Sequence, residues 1–262
     1  ECPNCRKAAA LGGRNLRRRT SYLAGGSTLV DFGPDANWQM KEFGIDPAKI
    51  ERLLVTHSHV DHFNPVELLW RSENFSVTGR RLGFLANAAV IAELDARVRE
   101  CSMGRSLDAL RLDVRELRPG VPVRDGELEI LPVRASHAPK ECALNFLLSG
   151  RDESRILIAN DTGWWPEESW ELLRGRRLDV AVIEISMGIR MPYAEERGFH
   201  LGAKAAIAFR DRLAELGAVT ASTQVAVTHI SHHVGATHEE LEAYFRPYGM
   251  LVGHDGMLLG RA

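Results

Sequence analysis

The run Thr56-His57-Ser58-His59-Val60-Asp61-His62 places three imidazoles and a carboxylate within six residues, directly after the apolar stretch Leu53-Leu54-Val55. A strand that ends in a tight loop can aim alternate side chains at one point. His57 and His59 are therefore expected to grip one ion while Asp61 and His62 turn toward another. One histidine after a strand is most often a structural residue, whereas four ligand-type residues in His-x-His-x-Asp-His order point to metal. Mixed imidazole and carboxylate donors suit Zn, Mn or Fe, and a catalytic site keeps a coordination position for water.

One loop does not fill two metal shells, so further ligands are expected at other strand ends. His137 follows Leu131-Pro132-Val133-Arg134, Asp161 follows Ile156-Leu157-Ile158-Ala159, and His229 follows Val225-Ala226-Val227-Thr228. Strand-like runs rich in β-branched residues cover 28–32, 53–56, 82–85, 128–134, 144–148, 155–159, 180–185 and 225–228, each bounded by turn-forming residues. Helical spacing covers 202–216, where Ala206, Phe209, Leu213 and Leu216 share a face. A capping-box pattern, Thr237-His238-Glu239-Glu240, precedes a second helix, and 87–100 is a third. Cys2 and Cys5 are expected to lie ahead of the first structural element. Strands that cluster early and alternate with helices later, without a fixed-period repeat, suit an αββα sandwich of the α/β class, two mixed β-sheets flanked by helices.

Composition narrows the function. A formal net charge of -2, with basic residues scattered except at Arg17-Arg18-Arg19, offers no stripe for DNA. No run of roughly 18 apolar residues marks a membrane span, and no apolar leader opens the sequence, so a soluble cytoplasmic protein without a membrane partner is expected. Cys2, Cys5, Cys101 and Cys142 are too few and too irregular for a disulfide framework.

On the His-x-His-x-Asp-His loop and the three later strand ends, the chain resembles the metallo-β-lactamase superfamily over nearly its whole length. The resemblance implies one domain over 1–262 with a first strand upstream of residue 1. It also implies that His57, His59 and His137 bind the first metal, that Asp61, His62 and His229 bind the second, and that Asp161 bridges them. Thr28-Leu29-Val30-Asp31-Phe32-Gly33 resembles the superfamily's early strand-turn element, in which the Asp orients a ligand from beneath the site. Thr228-His229-Ile230-Ser231-His232 resembles the last metal motif of the phosphodiesterase branch. Gly253-His254-Asp255-Gly256-Met257-Leu258-Leu259-Gly260 is similar to the ending of the cyclic phosphodiesterases of the carbon–phosphorus lyase pathway within that branch. By the same resemblance His200, in Gly198-Phe199-His200-Leu201, binds the phosphate or protonates the leaving oxygen.

Cys2-Pro3-Asn4-Cys5 has the spacing of half a structural zinc site. The resemblance adds His232 as a further ligand and a third cysteine just upstream of Glu1, with His233 or His238 as substitutes for His232.

Two catalytic divalent metals, Mn, Zn or Fe, and a structural Zn are thus the expected cofactors. Two ions roughly 3.5 to 4 Å apart share and activate a water between them. The expected activity is hydrolysis of a small cyclic or nucleotide-like phosphate ester, of the phosphoribosyl cyclic phosphate type, with Asp61 and His200 as catalytic groups. Lactone, thioester or β-lactam hydrolysis shares the same ligands and stands as the alternative. An RNA 3′-processing nuclease ranks lower, because no long Gly/Pro/basic insertion is present to grip RNA. The substrate is the expected partner, with a homodimer as an option. Trp164 and Trp165, after Asp161-Thr162-Gly163, either line the substrate mouth or pack beneath a loop.

Overall fold

The structure, a computed structural model, describes residues 2–72, 75–101, 106–189 and 198–260. These fall into two units, one of Arg19–Arg118 with Lys140–Leu144, the other of Glu1–Arg18, Pro119–Pro139 and Asn145–Ala262.

In the Arg19–Arg118 unit, five strands among the described residues form one mixed sheet in the order β1 (Tyr22–Ala24), β2 (Thr28–Val30), β3 (Arg52–Val55), β4 (Leu82–Ala86) and β5 (Leu112–Glu116). Only the β1–β2 pair is antiparallel. Parallel neighbours need crossovers, which here carry the helices α2 (Ala36–Glu42), α3 (Pro65–Leu68) and α4 (Ala88–Cys101). Val90, Leu94 and Val98, spaced four apart on α4, are fully buried in one cluster with Leu53, Val55 and Phe84. Because Val30 pairs with Leu54 in parallel register, the chain leaves β2 and β3 at the same sheet edge. That edge receives Asp31 and the 56–62 loop.

In the other unit, seven strands among the described residues run in the order β12 (Met250–Val252), β11 (Gln224–Thr228), β10 (Val180–Glu184), β9 (Arg155–Ala159), β8 (Leu144–Ser149), β7 (Leu128–Arg134) and β6 (Val123–Asp125). β9 to β12 are parallel, while the β8–β9 and β6–β7 pairs are antiparallel. Val182 pairs with both Ile158 and Ala226, so β9, β10 and β11 end together. Ala206, Phe209 and Leu213 of α6 (Ala203–Glu215), with Leu216 just beyond, are buried as the spacing predicts. Phe209 packs on Trp170 of α5 (Glu167–Glu171), ring centroids 4.5 Å apart. α7 (His238–Phe245) starts at the anticipated capping box, with Glu240 N–H donating to Thr237 Oγ1 at 3.3 Å and Thr237 N–H to Glu240 Oε2 at 2.8 Å.

Two mixed sheets with flanking helices are the elements of the expected αββα class. The beginning of the chain corrects the reading above: Cys2 caps α1 (Pro3–Leu11) and Cys5 lies within it. Pro at the first turn and three alanines favour this helix, but none of its residues is buried, so it has no apolar period to read. The short strands β1, β5, β6 and β12 likewise lack a strong sequence signal.

Candidate metal centre

At the β2–β3 edge, Asp31 is fully buried and left-handed, with φ 64°. Its Oδ1 accepts from Thr56 N–H at 2.8 Å and from Thr56 Oγ1 at 2.9 Å, and its Oδ2 accepts from His62 Nδ1 at 2.7 Å. Thr56 Oγ1 in turn lies 3.0 Å from His57 Nδ1. With its own proton given to Asp31, that hydroxyl accepts from His57. Both imidazoles therefore carry their proton on Nδ1 and present Nε2, the arrangement that a second layer of partners imposes on metal-binding histidines. His59 and His62 have ring centroids 4.5 and 4.4 Å from that of His57, and Asp61 Oδ2 lies 3.4 Å from His62 Nε2. Phe32 N–H donates to the His62 carbonyl at 2.8 Å, and a Cβ on Gly33 would overlap the Asp61 carbonyl oxygen. Glycine at 33 is thus what lets the loop lie against the β2 exit.

At the edge where β9, β10 and β11 end, Asp161 and His229 are also left-handed, with φ 45° and 53°. Such backbone costs of order 1–3 kcal/mol at a non-glycine residue and collects at functional sites. Asp161 Oδ1 is 2.9 Å from His229 Nε2, and its Oδ2 is 3.5 Å from His137 Nε2. Nδ1 of His137 donates to the Phe199 carbonyl at 2.8 Å, and Nδ1 of His229 meets Ser186 Oγ at 2.6 Å. Here too Nε2 is the nitrogen presented. His200 lies beside both, its ring 4.6 Å from His137 and 5.9 Å from His229, with Nδ1 2.8 Å from Glu184 Oε1. Burial lowers the His200 pKa, but the hydrogen bond to Glu184 and the charges of Glu184 and Asp161 together raise it above the ordinary histidine value.

A Beta-lactamase superfamily domain model matches residues 28–230, a span that includes every histidine and carboxylate of both edges. The chain belongs to the β-lactamase superfamily. Among curated relatives of the superfamily chain, a UPF0173 protein of Pyrococcus abyssi is 24% identical over 62% of this chain and 62% of its own length. Ribonuclease Z of Aeropyrum pernix is 26% identical over 55% of this chain and 48% of its own length. The chain thus spans roughly half to three-fifths of the length of the curated relatives it matches. Among solved structures, a diphosphatase from the PhnP family superposes with a TM-score of 0.70 at 20% identity, covering 98% of this chain and 88% of that one.

The donor set of this superfamily chain fits divalent metal. At one edge His57 and His62 are engaged through Nδ1 with Asp61 beside His62, and at the other His137 and His229 are engaged through Nδ1 with Asp161 beside both. Glu184 was not legible as part of the site from the sequence. It is fully buried, and besides His200 it accepts from Thr162 N–H at 2.8 Å and Ser186 N–H at 2.9 Å. Its one signal was a carboxylate closing the otherwise apolar strand Val180-Ala181-Val182-Ile183. Thr56 and Ser186, as imidazole partners, carried no signal at all.

Trp165 belongs to the core: it is 2% exposed and donates from Nε1 to Asn145 Oδ1 at 2.8 Å. Trp164 packs against the same cluster, 4.9 Å from the Trp170 ring.

At the start of α1, one ligand atom each from Cys2, Cys5 and His232 lie within 4.8 Å of one another. Cys5 Sγ is 3.6 Å from His232 Nδ1, while His232 Nε2 faces His233 Nε2 at 3.0 Å. His233 therefore meets the far side of the His232 ring. His238 has a different role: buried, it lies 2.7 Å from Arg17 Nη2 through Nδ1 and 3.0 Å from Glu242 Oε1 through Nε2. Among the described residues no helix is long and apolar enough to cross a membrane.

Proposed function

We propose that the chain is a dinuclear metal-dependent phosphodiesterase acting on a small cyclic or nucleotide-like phosphate ester. His57, His59 and His137 are assigned to one ion, Asp61, His62 and His229 to the other, and Asp161 to both. Zn, Mn and Fe all suit these donors. When bound, such a pair supplies a water activated at neutral pH and positive charge for the scissile group. In this reading Asp31, Thr56 and Ser186 hold the ligand imidazoles in one tautomer, and Asp61 stands at the reacting centre.

The observation that carries the phosphate reading is the His200–Glu184 pair beside Asp161. A histidine biased toward its cation there either holds a phosphate oxygen or gives its proton to the leaving oxygen. A lactone has a leaving oxygen too but no anionic phosphate oxygens to hold, so it uses only the second of these roles. The names of the ribonuclease Z relative and the diphosphatase neighbour agree with phosphorus chemistry. Cys2, Cys5 and His232 are proposed to hold a structural zinc, with His233 orienting His232 from outside.

Steady-state hydrolysis of 5-phosphoribosyl 1,2-cyclic phosphate, bis-p-nitrophenyl phosphate, a nucleoside diphosphate ester and a homoserine lactone tests this, with Mn and Zn supplied separately. Metal-dependent turnover of a phosphate ester is expected. Turnover of the lactone alone would replace the phosphodiesterase reading with a carbonyl one.

A further inference from the structure

Ser58 stands between His57 and His59, and both of its polar groups point at one carboxylate. Its N–H and hydroxyl donate to Glu141 Oε1 at 3.0 and 2.6 Å. The other oxygen, Oε2, accepts from Asn87 Nδ2 at 3.0 Å. Asn87 is itself locked: Nδ2 also donates to the Cys142 carbonyl at 2.9 Å, and Oδ1 accepts from Val90 N–H at 3.0 Å at the start of α4. Three residues beyond Glu141, Leu144 N–H donates to the Thr56 carbonyl at 2.9 Å. The strap 140–144 is therefore tied to Thr56 and Ser58, the residues on either side of His57.

Nothing in the termination of β3 or the start of α4 requires a carboxylate at 141. What it adds is a charged acceptor that restrains the backbone between two ligands, and hydrogen bonds to an ionised acceptor are the strong ones. The other proposed ligands have different supports. His62 is held by Asp31, Asp61 lies against Gly33, and His229 is held by Ser186.

We infer that Glu141 is a positioning residue for one ion only, the one assigned to His57, His59 and His137. It acts by clamping the strap 140–144 onto the loop that carries the first two. This inference rests on the ligand assignment made under Proposed function. It predicts a selective defect, in which removing Glu141 weakens one ion and spares its neighbour.

The test is titration of metal-depleted protein with Mn(II), followed by EPR. Manganese avoids the thiolates of the Cys2/Cys5 site, and EPR distinguishes a coupled pair from a single ion. Wild type is expected to bind two ions with a coupled spectrum. Glu141→Ala should bind one at wild-type affinity and the second about 10-fold more weakly, the low end of the range for losing a ligand's own partner, because Glu141 acts through Ser58. Glu141→Gln should fall between, because its amide oxygen still accepts from Ser58 while its NH2 group faces that of Asn87. Ser58→Ala, which removes only the hydroxyl, should give the same selectivity in milder form. Wild-type binding of both ions by Glu141→Ala would overturn the inference. So would equal weakening of both with a matching fall in melting temperature, since that is a structural role. A wild type that binds fewer than two ions overturns the ligand assignment, and this inference with it.

Discussion

Asp31 and His62 form a carboxylate–imidazole pair, Oδ2 to Nδ1 at 2.7 Å, with both side chains fully buried. The same carboxylate holds Thr56 through two further hydrogen bonds, so one buried group sets the tautomer of His62 and, through the Thr56 hydroxyl, that of His57. Asp31→Asn turns one of those acceptors into a donor facing a donor. The expected result is a loss of about 1–3 kcal/mol of stability, the cost of a buried polar group left unmatched. Metal affinity should also fall about 10–100-fold. Chemical denaturation and metal titration read the two effects separately, and an unchanged variant would deny Asp31 this role.

Replacing His200 by Ala removes the imidazole beside Asp161 and leaves the proposed ligands in place. A fall in kcat of about 10²–10⁴-fold on a phosphate ester is expected, with metal content unchanged. Glu184→Gln should give a smaller fall and move the pH optimum downward, because the carboxylate that favours the imidazolium is gone. A pH–rate profile of each variant checks this. Full activity of His200→Ala would remove it from the reaction.

His238 carries the clearest pH signature for stability. Burial first, and then the Arg17 charge, hold its pKa below the ordinary histidine value, and the hydrogen bond to Glu242 only partly offsets them. The unfolded chain therefore binds a proton more readily than the folded one as pH falls below about 6.5. The contribution of His238 is fully present above that pH and is lost as pH falls toward the folded value. Urea denaturation from pH 5 to 7.5 should show stability rising with pH, with a shallower rise in His238→Gln. Identical slopes would mean that another group sets the acid limb.

Gly163 lies so close to Gly198 that an added Cβ would overlap the Gly198 carbonyl oxygen. Gly163→Ala must push apart the turn after Asp161 and the segment entering His200. A loss of about 1–3 kcal/mol is expected, as for other overpacked positions. A larger fall in kcat than in metal affinity should accompany it. Thermal unfolding and steady-state kinetics check the pair of effects.

Cys5→Ser should lower zinc content by one ion per chain, leaving Mn-supported turnover largely intact. α1 also contacts α7 through Lys7 and Glu240, 2.6 Å apart, but this pair is exposed and contributes little. Loss of the zinc should therefore free the helix, seen as faster amide exchange over residues 3–11. Unchanged zinc content would rule out the Cys2/Cys5/His232 site.

Much of this protein was legible because its signals are local. The alternation and length of apolar runs marked eight of the strands. The spacing of Ala206, Phe209 and Leu213 marked α6, and a capping box marked the start of α7. Ligand-type residues at the ends of β3, β9 and β11, and one beyond β7, marked the candidate ligands, because His and Asp in that density have few other uses. Helix α1 escaped because none of its side chains is buried, and the edge strands because they are only three to five residues long with at most two buried side chains each.

What the sequence by itself determined was which residues carry metal-ligating chemistry and which strands they follow. Only the tertiary structure decided their partners: Asp31 on His62, Thr56 on His57, Ser186 on His229, Glu184 on His200, and Glu141 on Ser58. The reason is physical. A side chain's chemistry travels with its residue type, whereas all of these hydrogen bonds except Thr56–His57 join residues 16 to 83 positions apart and exist only once the chain has folded, and the Thr56 hydroxyl is itself oriented by the distant Asp31. Burial then makes an unmatched polar group costly enough to select a single arrangement.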